Sequence, residues 1–106
     1  MHTGIVIYSN DTETVWNAFR LGAFCRKQGD AVSIFLLGKG VEAEQLDTAN
    51  FKVTEQMQTF VDQGGEILAC GTCLEIRKHG ASDACPVSTM QDLYNLIQQS
   101  DRVLTF

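Results

Sequence analysis

The stretch Glu66-Ile67-Leu68-Ala69-Cys70-Gly71-Thr72-Cys73-Leu74-Glu75 decides the reading of this chain. Its first half is a short apolar run, as expected of a buried strand. Gly71 breaks that run, and Thr72 followed by Glu75 has the composition of a helix start. Two thiols, Cys70 and Cys73, therefore sit three positions apart where a strand gives way to a helix. N–H groups at a helix start lack intrahelical partners, and the helix dipole is positive there. A thiolate is stabilised in such a field, and the thiolate is the reactive form of sulfur. The segment points to sulfur or redox chemistry at a strand end.

Working outward, the same strand-then-helix unit recurs along the chain. Gly4-Ile5-Val6-Ile7-Tyr8 reads as a first buried strand, and Asn10 with Glu13 as the start of a helix. Val15, Ala18, Phe19, Gly22 and Ala23 mark that helix's inward face, and Gly29 stops it. Residues 31–37 form a second strand ending in the turn Gly38-Lys39-Gly40. Residues 41–52 read poorly, as a short helix and a loop. Residues 54–63 are helical, with Met57, Phe60 and Val61 inward. The helix opened by Thr72 closes at Arg77, Lys78 and His79 before Gly80, the charge order a helix dipole prefers. Ala84-Cys85-Pro86-Val87 suits a short fourth strand, and Ser88 with Gln91 a capping box. Met90, Leu93, Tyr94 and Ile97 form an apolar stripe at helical spacing, and Arg102-Val103-Leu104-Thr105 is the last strand.

The strands are near-continuous apolar runs, which favours a parallel sheet of about five strands covered by helices on both faces. The expected fold is a flavodoxin-like three-layer α/β/α sandwich, a single domain over residues 1–106. In such sheets ligands bind beyond the carboxyl ends of the strands. That edge gathers Ser9-Asn10, Gly38-Lys39-Gly40, Cys70-Gly71-Thr72-Cys73 and Cys85 with Val87-Ser88.

The net charge of −5 argues against direct nucleic-acid binding, which depends on Lys and Arg to neutralise phosphates. The one basic cluster is Arg77-Lys78-His79. No apolar run approaches the ~20 residues that cross a bilayer. The N-terminus leads straight into a strand without a signal-peptide layout, so a cytoplasmic location is expected. In that compartment the four cysteines serve as reduced, catalytic or metal-binding groups rather than as a disulfide framework.

The thiols separate on position. Cys70 ends its strand just outside the helix start, where Gly71 lets the backbone turn and leaves the thiol open. The N–H groups of residues 71–73 then face its sulfur, and Lys39 supplies positive charge nearby. Cys73 is either a resolving thiol for Cys70 or a packing residue. Cys85 shares the edge, and Cys25 is a packing residue of the first helix. Cys70, Cys73 and Cys85, with His79 or His2, fall short of the paired motifs of structural zinc, so neither metal nor cofactor is expected. Trp16, Leu21 and Phe24 form a second apolar stripe that one helix face cannot fully bury, which is either a wide core face or a subunit contact.

These residues together resemble the DsrE/DsrF/DsrH-like proteins, in particular their small stand-alone members. The resemblance rests on Ser9-Asn10-Asp11, on Trp16-Asn17-Ala18 and on residues 35–42. The segments 67–74 and 85–90 are its most specific part, and it covers essentially the whole chain. It implies a three-layer α/β/α fold assembled into trimers or hexamers. It also implies sulfur relay, in which a cysteine in the position of Cys70 receives sulfur as a persulfide and passes it from a donor to an acceptor protein. The relay members work beside related subunits and do not require the Cys73 and Cys85 pattern. That departure leaves open a thiol–disulfide module using Cys70 and Cys73, or a non-catalytic binding protein with structural cysteines.

Overall fold

The computed structural model describes residues 1–78, 82 and 84–106. Five strands, β1 (His2–Ile7), β2 (Ala31–Leu36), β3 (Glu66–Cys70), β4 (Val87–Ser88) and β5 (Arg102–Thr105), form one sheet in the order β4-β3-β2-β1-β5. Every neighbouring pair is parallel. A parallel pair needs a crossover, and crossovers are right-handed. The steps from β1 to β4 all run one way, so their helices share a face. The step back to β5 puts its helix on the other face.

The packing agrees. α1 (Thr12–Lys27) and α2 (Val53–Asp62) lie together on one face, where Gly22 of α1 approaches Ile34 and Phe60. The Phe19 and Phe60 rings meet edge-on at 6.2 Å. α4 (Met90–Gln99) crosses the opposite face over β1, where a Cβ on Gly4 would run into Leu96 and Ser100. The expected three-layer sandwich is present. α3 (Gly71–Ile76) is short and joins β3 to β4.

Several boundaries are corrected. Asp11, not Asn10, caps α1, its carboxylate accepting from the Thr14 N–H at 2.9 Å. Residues 38–45 form a 3-10 helix (Gly38–Gln45) in place of a turn and a poorly defined segment. Gly40 lets this helix press on the end of β1, because a Cβ there would overlap the Ile7 carbonyl. The fourth strand is Val87–Ser88 rather than residues 84–87. Thr89 with Asp92, not Ser88 with Gln91, forms the capping box of α4. The stripe on α4 is also turned: Met90, Tyr94 and Ile97 are exposed, and Leu96 is the buried residue. α3 ends at Ile76 with Arg77 as its C-cap, so Arg77 and Lys78 lie past the helix they were expected to close, and the expected His79 and Gly80 fall outside the described residues.

Candidate functional site at the β3–α3 junction

Cys70 is both the last residue of β3 and the N-cap of α3. This corrects the expectation that Thr72 would cap the helix. Cys73 thus becomes its third residue rather than its first, and its N–H turns back to the Cys70 sulfur at 3.4 Å. The Thr72 N–H also faces that sulfur, while the Thr72 side chain is exposed. With only six residues, α3 offers these local N–H groups rather than a long dipole.

Cys70 is only 4% exposed. Burial pushes its thiol above the ordinary range, and the Cys73 thiol pushes it further. The Cys73 and Thr72 amides pull the other way without overcoming burial. Of the three expected amides, those of Thr72 and Cys73 are in place, but the open, solvent-facing thiol is not. Gly71 has a different reason from the one expected. Its φ is not positive, and a Cβ there would lie 3.0 Å from Val87 Cγ1 and 3.1 Å from the Ser88 carbonyl oxygen. Gly71 lets β4 close against the junction.

Cys73 is half-buried, and its sulfur accepts from the Gly38 N–H at 3.2 Å. Gly38 holds a left-handed φ of 56°, which aims its N–H across from the end of β2. Positive polarity at Cys73 thus comes from the Gly38 backbone. The Lys39 side chain is exposed and has no hydrogen bond or ion pair among the described residues.

The 3-10 helix ties the junction together. Arg77, just past α3, pairs with Glu42 at 2.7 Å and donates to the Cys73 carbonyl at 3.2 Å. Asn10 donates to the other Glu42 oxygen at 3.3 Å, so it supports this clamp rather than touching sulfur. Glu44 accepts from the Ser82 hydroxyl at 2.9 Å. Cys85 donates its N–H to the Ser82 oxygen at 3.1 Å, and its described partners are Ser82 and Glu44 rather than Cys70 or Cys73. Burial, then the Glu44 charge, pushes the Cys85 thiol up to about 12. The expectation that Cys85 joins the pair finds no contact among the described residues. Sequence reading missed the Gly38 amide, Glu42 and Glu44. Glycine directly after a strand was the one local signal, since Glu42 and Arg77 lie 35 positions apart.

Cys25 packs against the core as expected. Trp16 stacks edge-on with Phe51 at 5.2 Å under the Arg20 guanidinium, so it is occupied within the chain. Phe24 remains exposed.

The DsrE/DsrF-like family matches residues 1–106. The chain belongs to that family. In this DsrE/DsrF-like protein the two thiols stand at the carboxyl end of the interior strand β3 and in the first turn of α3. Two similar sequences are archaeal. The uncharacterized protein MK0008 of Methanopyrus kandleri is 30% identical over 100 residues, 89% of this chain and 83% of that protein. The uncharacterized protein MJ0989 of Methanocaldococcus jannaschii is 28% identical over 100 residues, 89% of this chain and 88% of that one. The crystal structure of the ychN protein from E. coli superposes with a TM-score of 0.85 at 21% identity, covering 100% of both chains. The BT1422 protein of Bacteroides thetaiotaomicron gives 0.80 at 19% identity, covering 99% of this chain and 94% of that one. These two likenesses establish the shared fold.

Proposed function

We propose that this is a cytoplasmic sulfur-relay protein that carries sulfane sulfur as a persulfide on Cys70. The observation that carries the reading is the pair of thiols at the β3–α3 junction, each sulfur facing a backbone N–H. Such donors stabilise negative charge on sulfur, the form in which a persulfide is held. Family membership favours sulfur relay over a general redox role. In the Michaelis-like encounter, a donor persulfide gives its outer sulfur to the Cys70 thiolate, and the donor leaves as a thiolate. Incubation with a low-molecular-weight persulfide, followed by mass spectrometry, tests this. One added sulfur on the Cys70 peptide is the expected result. No adduct on Cys70 in either the wild type or Cys73→Ser, or an undiminished adduct on Cys70→Ser, overturns it.

The reading includes self-association into a trimer or hexamer. Two surfaces support it. Phe24 is exposed on α1 beside Arg20 and Lys27. On the opposite face, Met90, Tyr94 and Ile97 of α4 are exposed, near a groove that holds Glu66 and Asp92. A basic apolar face and an acidic apolar face on opposite sides of one chain suit head-to-tail contact, which forms a ring where its rotation closes. No helix among the described residues is long and apolar enough to cross a membrane.

A further inference from the structure

We infer that the site discharges its sulfur inward, with Cys73 attacking persulfidated Cys70 to release hydrosulfide and close a Cys70–Cys73 disulfide. This rests on the persulfide reading of Cys70 and adds what happens to the sulfur next.

The geometry favours the internal route over a handover. An acceptor thiol carried on another protein would have to be brought up to a residue that is 4% exposed, a demand that a low-molecular-weight persulfide donor does not make. Cys73 is already there, in the first turn of the helix that Cys70 caps. Its backbone N–H also holds the Cys70 sulfur at 3.4 Å. The three-residue spacing across a helix start brings the two Cα atoms into the range a disulfide spans. The remaining candidate, Cys85, is occupied with Ser82 and Glu44. The Gly38 N–H faces the Cys73 sulfur at 3.2 Å, a donor for the charge that sulfur carries when its proton leaves.

The step balances. The proton of Cys73 goes to solvent, and its sulfur attacks the inner sulfur of the Cys70 persulfide. The bond between the inner and outer sulfurs breaks, and the outer sulfur leaves with the electron pair as hydrosulfide. One S–S bond forms as one breaks. The sulfane sulfur is reduced by two electrons, and the two cysteine sulfurs are oxidised to a disulfide. An external dithiol reductant then returns the pair to thiols.

A single-turnover experiment on the full chain tests the proposal. The reduced protein is loaded with a low-molecular-weight persulfide, freed of excess donor and left without acceptor or reductant. Hydrosulfide release and alkylatable thiols are then counted, with the sites resolved by mass spectrometry. The wild type is expected to release one hydrosulfide per loaded sulfur while Cys70 and Cys73 together become resistant to alkylation, and dithiothreitol restores both. In Cys73→Ser the added sulfur is expected to stay on Cys70, with release slowed about a hundredfold by loss of the tethered nucleophile. A persistent persulfide on the wild type overturns the inward route and leaves the carrier reading standing. Hydrosulfide release with Cys73 still alkylatable does the same. A Cys73→Ser protein that takes up no sulfur on Cys70 removes both.

Discussion

The backbone N–H of Gly38 lies 3.2 Å from the sulfur of Cys73, joining the end of β2 to the first turn of α3. Two glycines of this segment serve different needs, and substitution separates them. Gly38 holds a φ of 56° in open space. Gly38→Ala is expected to cost about 1 kcal/mol, the strain of a left-handed alanine. At Gly40 a Cβ overlaps the Ile7 carbonyl, and Gly40→Ala is expected to cost about 3 kcal/mol or more. Urea unfolding of both variants gives the ranking, and equal costs would contradict it.

Gly71→Ala crowds β4, with contacts of 3.0 Å to Val87 and 3.1 Å to the Ser88 carbonyl. Because one of these is backbone, the strand must move. The expected result is a loss of about 1–2 kcal/mol and faster alkylation of Cys70 as the junction opens. An unchanged alkylation rate would show that β4 does not shield that thiol.

The Glu42–Arg77 pair is partly exposed, so its coupling in a double-mutant cycle is expected at about 0.5–1 kcal/mol. Arg77→Met is expected to cost more than Glu42→Gln, because it also removes the bond to the Cys73 carbonyl. The reverse order would place the clamp elsewhere.

Cys85 makes stability depend on alkaline pH. Its folded-state value is raised to about 12, while an unfolded thiol titrates near ~8.5. Between these values the folded chain holds a proton the unfolded chain has lost, so stability falls as pH rises. The limiting slope is about 1.4 kcal/mol per pH unit for that proton. Below the unfolded value the contribution is fully present. Chemical denaturation from pH 8 to 11 is expected to show the fall, and Cys85→Ser to reduce it, the raised Cys70 thiol leaving a remainder.

Self-association is expected to fail when the α4 face is charged. Light scattering at micromolar concentration should give a multiple of the 11.7 kDa chain for the wild type and a monomer for Tyr94→Glu. A monomeric wild type would remove the assembly from the proposal.

The parallel fold was legible because its strands are continuous apolar runs, and a sheet buried on both faces demands that pattern. The thiol pair was legible because both residues lie in one short segment. Helix starts were harder. At residues 10–11 and 88–89, neighbouring polar side chains offer similar caps, and only the hydrogen bonds distinguish Asp11 and Thr89. The α4 stripe misled because periodicity identifies an amphipathic helix without saying what its apolar side meets. Burial of Cys70 and the clamp through Glu42 depend on chain segments brought together by the sheet, which no local pattern encodes.

The donors aimed at the sulfurs belong to the main chain, from Gly38, from Thr72 and from Cys73 itself. Alanine scanning would pass over them, since every substitution leaves the peptide linkage intact. Replacing one of those linkages with an ester by semisynthesis would expose what they contribute, so the polarity of this site is written in where the chain runs rather than in which side chains decorate it.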